Sequence, residues 1–152
     1  MSDWQYLFIA GASRSGTTLL MNLLDGHPDL VVFPMEHRVF PGFFRTPPEN
    51  RPAYFHGSFI EDRAAGQQSI LASKALHDKY RERMERELGI DFFLDVDHEK
   101  FLETYRKTLG PSQPTLRAVL DSLMVALLSS SRAVPKTADS FRYAVFKDPF
   151  TT

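Results

Sequence analysis

Near the start of the chain, Gly11-Ala12-Ser13-Arg14-Ser15-Gly16-Thr17-Thr18 has the spacing of a phosphate-binding loop, GxxxxGK[ST], with Thr17 where that pattern places lysine. Glycines at both ends let the backbone turn so that successive N–H groups point inward at phosphate oxygens. A helix starting after such a loop adds its orphan N–H groups and a partial positive charge. Arg14 can supply the cation that the absent lysine would have given, and Thr17 and Thr18 can donate side-chain hydrogen bonds at the first helical turn. The candidate phosphate-binding set is therefore Gly11, Ser13, Arg14, Ser15, Gly16, Thr17 and Thr18. A plain strand-to-helix turn is the alternative, but glycine, hydroxyl residues and a fixed cation are a costly choice for a mere connector.

The elements around the loop suit that chemistry. Trp4 to Ala10 is a short apolar, aromatic run that predicts a buried parallel strand. After the loop, Leu19, Leu20, Leu23 and Leu24 share one helical face, and Gly26 with Pro28 marks the helix end. Leu30 to Phe33 predicts a second strand, and Pro34 to about Gly66 reads as a long irregular segment rich in proline and aromatics. Helical spacing returns at Ser69–Leu88, at Asp97–Leu109 before Gly110-Pro111, and most clearly from Leu116 to Leu128, with Pro114 placed to start it. Phe141 to Phe146 predicts a further strand that leads into Lys147. Strand, loop and helix in this order give an α/β fold of the P-loop NTPase-like three-layer type, with a parallel sheet and a helical insertion. Two or three strands cannot cover both faces of such a sheet, so the fold is read as incomplete.

Composition narrows the function classes. The chain has 152 residues, 43% of them hydrophobic, which is enough for one domain with a core. The formal net charge of -1 gives no global basic field for nucleic acid or an anionic membrane. The absence of cysteine excludes disulfides and thiolate metal sites, and the scattered histidines His56, His77 and His98 lack metal-ligand spacing and read as solvent-facing. His27-Pro28 reads as a helix-ending turn. No metal site is expected. With no membrane-length apolar run and no signal-like leader, the default compartment is the cytoplasm.

The run RSGTTLLMNLLDGHPDL, Arg14 to Leu30, resembles the 5′-phosphosulfate loop of sulfotransferases that use 3′-phosphoadenosine 5′-phosphosulfate (PAPS). Its Arg-Ser-Gly-Thr-Thr start, leucine-rich helix and His-Pro are more similar to the tyrosylprotein and Golgi-type enzymes and their bacterial relatives than to the cytosolic steroid and phenol enzymes. Two later patches follow in the same order: PMEHRVF from Pro34 and VFKDPFT from Val145 resemble segments of the tyrosylprotein enzymes. The resemblance implies one sulfotransferase domain over 1–152, its N-terminal part, interrupted by a loop and helical insertion over 34–140. It also implies a C-terminally truncated chain.

The resemblance assigns roles as well. Arg14 and the loop hold the donor phosphate, Glu36 stands at the position of the general base, and Lys147 offsets charge on the leaving phosphate. Without the resemblance, Glu36 reads as a solvated carboxylate, His37 is a rival base, and Lys147 reads equally as a strand-end surface charge. Arg38 either meets an acidic substrate or lies on the surface. The 3′-phosphate residues of the family have no counterpart that can be assigned here. The stretch between Glu36 and Lys147 is longer than in the tyrosine-modifying enzymes, which suggests an acceptor pocket or lid of its own. The reading is sulfuryl transfer from PAPS to a small-molecule or peptide hydroxyl, with no metal required. A P-loop kinase or NTPase-like phosphotransferase, or a non-catalytic nucleotide-binding fragment, is the alternative.

Overall fold

The computed structural model describes residues 3–12, 15–36, 38–59, 96–131, 137 and 139–147, the side chains of 34–36 excepted. Strand β1 (Gln5–Ile9) leads through the glycine loop into helix α1 (Thr17–Leu24), and β2 (Leu30–Glu36) into α2 (Val39–Arg45). A 3-10 turn (Pro48–Asn50), the one-turn α3 (Arg51–Ala53) and a π-helical turn (Tyr54–Ser58) follow directly. The later elements are α4 (His98–Leu109), α5 (Leu116–Ser130) and β3 (Tyr143–Lys147). Among the described residues the sheet has three strands in the order β1-β3-β2, all parallel. The last strand in sequence is thus the central one.

Local chemistry explains the helix ends that the sequence marks. The Asp97 side chain caps α4 by accepting from the Lys100 N–H at 3.0 Å, and Gly110, at φ 68°, closes it. Thr115 caps α5 in the same way, accepting from the Ala118 N–H at 3.1 Å. After α1, His27 does the work of a turn: its backbone N–H reaches the Leu24 carbonyl at 3.3 Å, and its Nδ1 accepts from the Asp29 N–H at 3.1 Å.

The sheet carries unequal layers on its two faces. On one face Val31, Phe33, Ala144 and Phe146 pack with Phe43, Phe55, Phe59, Phe101, Tyr105 and the apolar side of α5 into the main core. On the other, Ile9, Val32 and Val145 meet Met21 of α1 in a small cluster. A network ties β1 to α5. Trp4 Nε1 donates to the Tyr6 hydroxyl at 3.1 Å, Tyr6 donates to Asp121 Oδ1, and Arg117 pairs with Asp121 at 3.5 Å.

Three readings need correction. The segment read as irregular from Pro34 onward is strand to Glu36 and then largely helical over 39–59, because Phe43, Phe55 and Phe59 insert into the core and fix the turns that carry them. His98 and His56 do not face solvent: His98 is buried at the start of α4, and half-buried His56 places Nε2 2.8 Å from the Gly110 carbonyl. The helix expected at 69–88 and His77 lie outside the described residues. No helix among the described residues is long and apolar enough to cross a membrane.

Candidate active site at the strand ends

A parallel sheet gathers the carboxyl ends of its strands at one edge, where helix N-termini also converge. Here that edge holds Ile9, Glu36 and Lys147. Lys147 closes the central strand and is the register partner of Ile9 on one side and Glu36 on the other. An irregularity in β2 between Val32 and Glu36 shifts the register just before Glu36 arrives opposite Lys147. The sheet thereby joins the ends of three sequence patches that are far apart in the chain.

The loop after β1 has the shape its glycines demand. A Cβ on Gly11 would lie 2.6 Å from Ser15 Oγ and 2.9 Å from Thr17 Cγ2, so a side chain at position 11 would force Ser15 and Thr17 to shift. The Ser15 N–H bonds the Ala12 carbonyl at 3.2 Å and closes the curl. Gly16 sits in the left-handed region at φ 82° and serves as N-cap of α1 without offering a side-chain cap. A Cβ there would have no atom of the described residues within 4 Å. These features suit a cradle for an anion at the start of α1.

Lys147 is not the strand-end surface charge of the alternative reading. It is buried, with 7% of its surface exposed, and its Nζ donates to Thr18 Oγ1 at 2.7 Å. In β3 it stands two residues beyond Val145, so it shares the α1 face of the sheet. A lysine from a distant strand thus delivers its ammonium to the first turn of α1, near where the P-loop pattern would place its own lysine. The sequence placed Lys147 and Thr18 separately in the site but gave no sign that they touch, because their contact depends on the strand order.

Arg38, next to α2, has φ 48°, a left-handed conformation that is uncommon and mildly strained for a side chain with a Cβ. The chain turns sharply there from the end of β2 into α2, and Arg38 is held partly exposed at the edge of the strand-end region. Among the candidate residues, Gly11, Ser15, Gly16, Thr17, Thr18 and Lys147 come together around the start of α1. Glu36 reaches the same sheet edge through its backbone. Ser13, Arg14 and His37 lie outside the described residues.

Comparison with known proteins agrees with the strand–loop–helix reading. No curated protein and no solved structure matches the chain. The model of the sulfotransferase family matches residues 6–90, from β1 past the loop, α1, β2 and α2, while Lys147 falls beyond the matched part. That match covers more than half of the 152 residues, and the chain belongs to the sulfotransferase family.

Proposed function

We propose that this transferase moves a sulfuryl group from PAPS to a hydroxyl acceptor, with Gly11 to Thr18 holding the 5′-phosphosulfate end of the donor. The observation that carries the proposal is the convergence at one sheet edge of the curled glycine loop, the Lys147–Thr18 bond and the Glu36–Lys147 register pair. Family membership gives sulfuryl transfer in general; the donor, the acceptor class and the residue roles are our reading.

The donor brings an activated sulfuryl group on a phosphate leaving group. For transfer, the acceptor oxygen must form a bond to sulfur as the bond from sulfur to the bridging phosphate oxygen breaks. The hydroxyl proton must leave, and negative charge builds on the departing phosphate. The loop N–H groups, with Arg14, Thr17 and Thr18, anchor that phosphate, and Lys147 offsets its charge. Thr18 accepts from Lys147 and so keeps its own O–H free to donate, which couples the lysine to the loop. Glu36, at the end of β2, takes the proton.

Two measurements test the proposal. Calorimetry should show adenosine 3′,5′-bisphosphate binding in preference to ATP, and a preference for ATP sinks it. Glu36→Gln should lower transfer by about 10²–10⁴-fold while bisphosphate affinity stays close to wild type. Loss of bisphosphate affinity would instead make Glu36 a structural residue.

A further inference from the structure

Where β2 reaches the strand-end edge, it holds more residues than the strand it pairs with. Leu30, Val31 and Val32 stand opposite Tyr143, Ala144 and Val145, one for one. Phe33 keeps step, since its ring stacks on Phe146 with centroids 5.2 Å apart. In a regular strand the next residue, Pro34, would face Lys147. Glu36 stands there instead. From Val32 to Glu36 β2 takes four steps while β3 takes two, from Val145 to Lys147, so Pro34 and Met35 are extra residues in the pairing.

We propose that Pro34 is a positioning residue: the bulge it opens sets Glu36, rather than residue 34, opposite Lys147. The proposal rests on the reading of Glu36 as the base of sulfuryl transfer. Backbone chemistry supplies the first argument. The proline ring holds φ near about −65°, whereas a parallel strand runs at about −120°, so a strand bends away from its ladder at proline. Within sheets, proline is accordingly confined to edge strands and bulges, and β2 is an edge among the described residues. Placement supplies the second argument. Pro34 directly follows Phe33, the last residue in step, and the pairing is regained only at Glu36, where the strand ends. Two residues later Arg38, at φ 48°, turns the chain into α2. Glu36 is thus held between two backbone bends. Side-chain chemistry gives the bulge its use. Neither Pro34 nor Met35 carries a group that takes a proton, so a regular strand would set an inert residue opposite Lys147. Bulges beside active sites serve in this way to re-aim a residue.

The test reads the register first. In the full chain, nuclear Overhauser contacts should join Lys147 to Glu36 in the wild type and to residue 34 in Pro34→Val, whose valine suits a regular strand. Pro34→Ala gives a second reading of the register. Affinity for adenosine 3′,5′-bisphosphate should be the same in all three. Turnover is then followed with labelled PAPS, with phenol, methyl glucoside and serinamide offered together as hydroxyls in water. Pro34→Val should lower kcat about 10²-fold with the donor KM unchanged. Moving the carboxylate with the register should restore activity, so Pro34→Glu/Glu36→Gln should turn over about tenfold faster than Glu36→Gln. A Lys147–Pro34 contact in the wild type overturns the proposal, as does an unchanged register in the two single variants at position 34. A shifted register without loss of kcat, or without rescue in the double variant, overturns it too and leaves Pro34 a structural residue. Wild type that neither binds the bisphosphate nor consumes PAPS strikes the sulfuryl-transfer reading alone, because the contacts to Lys147 read the bulge directly.

Discussion

The two faces of the sheet are built to different standards. Toward α5, aromatic rings from the sheet, α2, α4 and the turns after α2 interlock in a core where Phe101, Tyr105, Leu123 and Met124 have no exposed surface. Toward α1, a single buried methionine sits over Ile9, Val32 and Val145, while Leu19, Leu23 and Leu20 of the same helix are 65%, 72% and 48% exposed. Yet the thin face carries the glycine loop and Lys147. Packing density is thus divided unequally: the thick layer encloses one face of the strands, and the thin one carries the glycine loop and the Lys147–Thr18 bond. Lys147, on this face, is buried with its ammonium on Thr18 in the first turn of α1.

The separation predicts distinct losses, and the largest belongs to the thick layer. Phe101→Ala should cost about 3–5 kcal/mol in urea unfolding, since its ring is completely enclosed in the main core. A cost near zero would abolish the contrast. Lys147→Met, similar in length and apolar, should lower turnover by about 10²–10³-fold with the unfolding midpoint little changed. An equal loss of stability would make Lys147 a packing element after all. Tyr6→Phe removes the bond to Asp121 that straps β1 to the thick layer, at about 1.5–3 kcal/mol for a bond to a charged acceptor.

Tyr6 also has a pH signature. Burial first, and then its bond to Asp121, keep the phenol protonated well above its ordinary value of 10.0. A group whose folded pKa is raised contributes fully below its unfolded value and loses that contribution as pH rises past it. Wild-type stability should therefore fall above about pH 10 more steeply than that of Tyr6→Phe, and parallel curves would refute this. Burial raises the Tyr105 phenol in the same direction, so some alkaline loss persists in the variant. The smallest effect should come from the thin face: Leu23→Gln should shift stability by less than about 0.5 kcal/mol.

Legibility in the sequence followed the range of the forces involved. The loop, both helix caps and the strand ends are set by neighbours in the chain, and Gly16, Asp97 and Gly110 announce them. The segment after β2 reads as irregular because prolines and aromatics without regular spacing conceal helical turns. Phe43, Phe55 and Phe59 reveal their common direction only when α4 and α5 are present to receive them. The leucines of α1 give the opposite lesson. Their spacing predicts an apolar stripe correctly, but periodicity does not say whether anything lies over it, and Met21 on the other side is the residue that meets the sheet. Burial of Lys147 and its bond to Thr18 could not be read at all, because they depend on β3 lying between β1 and β2.

That strand order also governs when the molecule can assemble. β1 and β2 do not pair with each other; both bond to β3, with Gln5 and Leu30 set opposite Tyr143. During synthesis, the first two strands therefore emerge before the strand that joins them among the described residues, 143–147, has left the ribosome. Contacts this distant in sequence slow the search for the native state and lengthen the time that Leu7 and Phe8 spend in the open on an unguarded strand. Refolding yield should accordingly depend on protein concentration, with β1 as the segment through which the nascent chains aggregate.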